Sequence, residues 1–155
     1  TLEPTTIQGT PGATGVFDAG EGYEWAKCDF GVARPAKLVF LATIELATVP
    51  ADGEVIDFYM APSNNGTPAS GNVGETTGVS GTMGTPDTTF FSQMIRIGSL
   101  TMDISLTLQS GYVGVYVPDL RYGNLVMINN TSDNGATDDI ETHVVAIPSV
   151  YYPGA

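Results

Sequence analysis

Apolar and polar residues alternate one for one along much of this chain. Leu100, Met102, Ile104, Leu106 and Leu108 alternate with Thr101, Asp103, Ser105 and Thr107. Successive side chains of a strand point to opposite faces, so this run has one apolar and one polar face. A helix would scatter the same five apolar groups around its circumference. The pattern therefore predicts a strand over 100–108. Ala36 to Leu46 predicts another, with Leu38, Phe40, Ala42, Ile44 and Leu46 on one face. Val39 and Leu41 on the opposite face predict that its first half is covered on both sides. Glu54 to Met60 directs Ile56, Phe58 and Met60 inward. Tyr23 to Phe30, Phe90 to Ile97, Tyr112 to Val117, Leu125 to Ile128 and His143 to Tyr152 read as further strands. Pro148 inside the last of these argues for an edge strand or a bulge, because proline donates nothing to a ladder.

The separators carry turn chemistry. Pro50-Ala51-Asp52-Gly53, Asn64-Asn65-Gly66, Ser110-Gly111 and Asp133-Asn134-Gly135 supply residues that tolerate positive φ. No segment has helical periodicity, and no repeat of fixed period is visible. The expected architecture is all-β, an antiparallel β-sandwich of about eight strands with jelly-roll-like topology. An immunoglobulin-like sandwich is the alternative, although the paired cysteines of antibody domains are missing. Residues 1–15, rich in Thr, Gly and Pro, read as an extended arm, and 16–155 as one sandwich domain. Residues 61–87 form a polar stretch too long for an ordinary hairpin loop.

Charge narrows the partners. Five Lys and Arg stand against 17 Asp and Glu, a formal net charge of -12 in 155 residues. That field repels nucleic-acid backbones and anionic membrane surfaces, so neither is an expected partner. Cys28 is the only cysteine, which excludes an internal disulfide, and its strand-like setting predicts a buried, inert thiol. No apolar run reaches the length of a membrane span, and no leader pattern follows Thr1, so synthesis in the cytoplasm is expected.

Catalytic and metal-binding patterns are sparse. His143 is the only histidine, whereas zinc sites of ordinary type want several His or Cys ligands. Gly78-Val79-Ser80-Gly81 lacks the spacing of a nucleophile elbow, which leaves a hydrolase built on His143 the least favoured reading. Glu21 with Glu24, and Glu54 with Asp57, are carboxylate pairs without aromatic platforms beside them. Asp133, Asp138, Asp139 and Glu141 could offer hard oxygens to calcium, but their spacing is not that of an EF-hand, and a solvated acidic loop is the preferred reading. Asn65-Gly66-Thr67 and Asn129-Asn130-Thr131 match the glycosylation triplet and, without a leader, read as coincidence. No enzyme activity and no cofactor is expected.

What remains is surface. Tyr112, Tyr116, Tyr122, Tyr151 and Tyr152 crowd the second half, and tyrosine suits protein interfaces. The interface candidates are Tyr151 and Tyr152 at the C-terminal end, with Thr5 and Ile7 in an arm able to add a strand to a neighbour. A lectin-like, carbohydrate-binding sandwich using Trp25, the tyrosines and the acidic loop is the alternative.

In the second part of the chain Ile56-Asp57-Phe58-Tyr59-Met60 runs into Ser63-Asn64-Asn65-Gly66, and Ile97-Gly98-Ser99-Leu100-Thr101 follows Phe90-Phe91. Asn129-Asn130-Thr131-Ser132 comes after Leu125-Val126-Met127-Ile128, and a strand from Val145 to Tyr152 closes the chain. In these features together, residues 54–152 resemble the head decoration (cement) proteins and related β-sandwich virion proteins of tailed bacteriophages. The resemblance implies a non-enzymatic structural protein on the virion surface. It would bind the major capsid protein and staple neighbouring subunits, as a homo-oligomer, with a trimer favoured.

Overall fold

The computed structural model describes residues 17–32, 34–136 and 142–149, together with the backbone of a strand at Thr5–Ile7. Ten strands form: β1 (Thr5–Ile7), β2 (Gly22–Glu24), β3 (Cys28–Asp29), β4 (Lys37–Glu45), β5 (Val55–Ser63), β6 (Gly81–Gly84), β7 (Ile95–Thr101), β8 (Leu108–Tyr116), β9 (Tyr122–Asn130) and β10 (His143–Ser149). Every pairing is antiparallel, in the order β1-β10-β4-β8-β7-β5-β9-β2-β6, with β3 beside β9.

This continuous sheet curls over on itself into two layers. Without the short β3 and β6, one layer is β1-β10-β4-β8 and the other β7-β5-β9-β2. Along the chain, the strands alternate between layers except where β5 leads to β7 in the same one. That is the connectivity of a jelly roll, and the all-β sandwich expectation holds. The fold line between layers is a single bridge, Gly98 to Gly114. One extra residue interrupts the ladder on each side of it: Ile97 on β7, opposite the Phe58/Tyr59 step, and Val113 on β8, opposite the Phe40/Leu41 step. Bulges bend and twist a strand locally, and these two lie side by side where the sheet passes from one layer to the other. A Cβ at Gly98 would run into the Val113 carbonyl, and one at Gly114 into the Ile97 carbonyl. Only glycine permits so close a backbone approach.

The core fills the space between layers. Leu38, Phe40, Ala42, Ile44 and Leu46 from one layer meet Ile56, Phe58, Met60, Leu125 and Met127 from the other, with Trp25 fully buried among them. Tyr23 packs edge-on against Trp25, ring centroids 5.1 Å apart.

Several expected elements differ. No single strand spans 100–108: β7 ends at Thr101 and β8 begins at Leu108. Between them Asp103 accepts hydrogen bonds from the Ser105 amide and hydroxyl, and Gln109 brackets the turn through Asp103 and Leu106. Local side-chain bonding of this kind competes with the ladder and wins here. Ile104 and Leu106 are consequently 60% exposed instead of buried. The expected strand at Phe90 begins instead as a short 3-10 helix, Thr88–Gln93, capped by Asp87 accepting from Thr89 N. The run from Tyr23 to Phe30 is broken between β2 and β3, and β9 is longer than 125–128. Leu41 is 40% exposed, so the first half of β4 is not covered on both sides as expected. Pro148 sits on β10 opposite Leu38 of β4, and among the described residues the β1 pairing reaches only as far as Ala146.

Candidate functional site

The two layers carry different outer surfaces. On the layer containing β5, β9 and β2, the chain supplies its own cover. Tyr59, Ala61, Val126 and Ile128 point outward there and pack against Val73, Met83, Phe91 and Met94 from the long loop and the 3-10 helix. Tyr59 stacks on Phe91, centroids 5.1 Å apart at 12°.

Two charged residues near β2 hold that cover in place. The Glu24 carboxylate is buried and accepts from Thr77 N (2.9 Å), Gly78 N (3.1 Å), the Thr77 hydroxyl and Asn124 Nδ2 (3.0 Å). A buried carboxylate is tolerable because these donors replace its water. Lys27 Nζ donates to Ser63 Oγ at 3.0 Å, and to the carbonyls of Asn65, Thr67 and Ser70 at 2.9 Å each. Desolvation there lowers the Lys27 pKa from its ordinary value. Residues 64–71 thus close around one ammonium group, so a stretch with little apolar content acquires a defined shape.

The opposite outer face, on β10, β4 and β8, has no such cover among the described residues. Register places its side chains in rungs of three. Ile147, Val39 and Val115 form one rung, Val145, Leu41 and Tyr112 the next, and His143, Thr43 and Ser110 the third. Tyr112 is 60% exposed, and Leu41, Val115 and Ile147 are exposed as well. The Thr43 and Ser110 hydroxyls bond to each other at 2.8 Å. A shallow hollow of about 370 Å³ lies between the second and third rungs, lined by Leu41, Thr43, Ser110, Tyr112, His143 and Val145 among others. None of the nine residues is Asp, Glu, Lys or Arg, on a chain whose net charge is -12. Six of the nine, Ile147, Val39, Val115, Val145, Leu41 and Tyr112, are aliphatic or aromatic.

The candidate residues expected from the linear pattern fall in several different places. Thr5 and Ile7 lie on β1, paired in register with Ala146 and Val144. Tyr151 and Tyr152, like Asp138, Asp139 and Glu141, lie outside the described residues. Asp133 accepts from the Thr48 hydroxyl, which joins the 131–136 turn to the β4–β5 loop. No group of three or more metal-ligating side chains occurs among the described residues. Tyr116 is buried, leaving Tyr112 as the exposed tyrosine of β8. Trp25 is fully buried and cannot stack on a sugar, contrary to the lectin-like expectation. Asn129 is buried, with Nδ2 donating to Asp133 O at 2.7 Å, which closes that glycosylation triplet to modification in the folded chain. Cys28 is half-buried rather than fully buried as expected, and desolvation pushes its thiol up to about 11.

The carboxylate pairs are also committed locally. Glu21 accepts from Asp18 N, Glu54 from Ala51 N and Ser132 N, and Asp57 from Arg96, Ser99 and Asn130. Comparison with protein-family models and with curated proteins gives no match.

Proposed function

We propose that this protein is a structural component of a virion, a decoration or cement protein that binds and stabilises neighbouring capsid subunits. The uncovered face of β10, β4 and β8 carries this reading. It offers two rungs of half-buried to exposed aliphatic and aromatic side chains, free of acidic and basic groups, on a two-layer body. Surfaces of that kind bury well against other proteins, because the exposed apolar area is removed from water without desolvating a charge. The jelly roll is an architecture of viral capsid domains, an analogy of fold that supports the reading without assigning a site. In this role the protein works without catalysis, at the virion surface, and its partners are the major capsid protein and other copies of itself.

Co-sedimentation with expanded, undecorated tailed-phage capsids tests the proposal. Saturable binding that raises the capsid melting temperature supports it. Absence of binding to any such capsid at high micromolar protein overturns it.

A second reading has one specific observation behind it. Tyr112 stands beside the Thr43 and Ser110 hydroxyls and the His143 ring at the hollow, and an aromatic flanked by hydrogen-bonding groups can hold a sugar ring. Lectin domains also use the jelly roll. Retention on a glycan array, lost in Tyr112→Ala, would favour this reading over the first.

A further inference from the structure

We infer that Asn65-Gly66 is a self-modification site, where the folded chain converts the asparagine through a cyclic imide to isoaspartate with loss of ammonia. The oxygens gathered around Lys27 carry this inference, which is independent of any capsid role.

Three dipeptides in the chain put Gly after Asn or Asp: Asp52-Gly53, Asn65-Gly66 and Asn134-Gly135. In each, the glycine nitrogen can attack the preceding side chain, because no Cβ shields it. In two of them that nitrogen is engaged. Gly53 N donates to Met102 O at 3.2 Å, and Gly135 N to Phe17 O at 3.0 Å. Gly135 is also buried under the Phe17 ring. The Gly66 N–H has no acceptor among the described residues and lies in an exposed run from Asn64 to Ala69.

The atoms around Asn65 are set for the reaction. Asn65 Oδ1 accepts from Thr67 N at 2.9 Å. That bond closes a ring over the Gly66 peptide and brings Cγ of Asn65 beside the Gly66 nitrogen. The Asn65 main-chain oxygen belongs to the same peptide unit as that nitrogen. It accepts from Lys27 Nζ at 2.9 Å, and Ser63 Oγ is 3.0 Å away. Loss of the Gly66 amide proton places negative charge on this oxygen, so the ammonium stabilises the nucleophilic form.

The Gly66 nitrogen gives its proton to water and attacks Asn65 Cγ. A new N–C bond forms, the carbonyl pair moves onto Oδ1, and the Thr67 N–H receives that oxyanion. Collapse expels Nδ2, which takes a proton back from water and leaves as ammonia beside Ser70 Oγ, 3.2 Å away. Water then adds to one carbonyl of the imide and cleaves its bond to the Gly66 nitrogen. Lys27 polarises the main-chain carbonyl, so the ring opens there. In the resulting isoaspartate the chain runs on through Cγ, and the Asn65 main-chain carbon becomes a free carboxylate. That carboxylate keeps the oxygen already bonded to Lys27 and becomes its ion partner. The loop stays anchored while its main chain lengthens by one methylene and the protein gains one negative charge.

Peptide mapping of the whole protein, held for days to weeks in warm neutral buffer beside a sample in urea, tests this. Mass spectrometry reads the exchange of NH2 for OH, and electron-capture fragmentation separates isoaspartate from aspartate. Folded Asn65 should convert within about threefold of its rate in urea, whereas Asn134 should convert only in urea. The isoaspartate share at residue 65 should be higher in the folded protein than in urea. Lys27→Met removes one charge-assisted donor, and should slow the folded conversion about tenfold and lower that share to the value in urea. A loop merely loosened by the substitution would convert faster instead. If Lys27→Met fails to fold, the comparison of folded and urea samples of the unaltered chain decides by itself. Asn65 that stays intact when folded, or converts more than about tenfold slower than in urea, overturns the inference. Conversion of Asn134 ahead of Asn65 in the folded protein, or equal product ratios in the two samples, overturns it as well.

Discussion

Cys28 lies on β3 with its thiol pushed up to about 11 by burial. At pH 8 it should react with a disulfide reagent far more slowly in the folded protein than in denaturant, where the thiol returns to about 8.5. Equal rates in the two states would show that the β3 region is open to solvent. Asp29, next to it, behaves oppositely. A two-pronged contact from Arg121, at 2.8 and 2.6 Å, and the Gly31 amide hold its carboxyl down to about 2. A depressed carboxyl favours the folded state above its unfolded value of about 3.9, and that preference disappears as pH falls through the folded value. Carbon-detected NMR titration should accordingly find the Asp29 midpoint near 2, and Arg121→Gln should return it to the ordinary aspartate range. Both partners are solvent-exposed, so a large change in melting temperature is not expected from that variant.

Among the strands, β4 and β5 are legible in the sequence because an apolar residue returns to the core face at strictly every second position and their neighbours are strands on both sides. The run from 100 to 108 has equally strict alternation and is not one strand. Its polar positions include Asp103 and Ser105, whose local bonding outcompetes a ladder. Periodicity reports which residues can face a core, and here the core ends at Met102. The Lys27 and Glu24 anchors leave no comparable trace. They are two of four charges between Glu21 and Asp29, and their partners lie 36 to 100 residues further along the chain, so only the folded form brings them together. Lys27→Met should cost about 1–3 kcal/mol by stranding carbonyls that now share one ammonium. Limited proteolysis should then cut between 64 and 71 in the variant well before it cuts the parent. The uncovered face is half visible in the sequence: Val39 and Leu41 make the first half of β4 apolar on both sides, as Val126 and Ile128 do for β9. For β9 the cover is the chain's own long loop, whereas for β4 no described segment supplies one, and a linear pattern contains nothing to separate those cases.

Across the whole molecule, nearly every pairing joins strands that are not neighbours in the chain. Among the described residues only β7 and β8 are both paired and consecutive, and they share a single bridge. Such topologies fold slowly, because loop closure precedes the contacts that stabilise it. Stopped-flow refolding is expected on the millisecond-to-second time scale, and a microsecond phase accounting for the full amplitude would contradict the two-layer arrangement. Gly98→Ala and Gly114→Ala should each destabilise the protein by at least about 1–3 kcal/mol in urea melts, since the new methyl meets backbone that cannot rotate away. Substitution at an open glycine such as Gly81 has no such obstacle.

The Gly98–Gly114 crossing has a further consequence. The layers are hinged there like the covers of a book bound by one stitch, and what keeps them shut is chiefly oily contact between the pages. Pulling or solvating them apart should begin at the margin farthest from that stitch, where β6 and β1 end the run of strands. The spine, and the outer face of β8 beside it, should be the last part of the molecule to lose its shape.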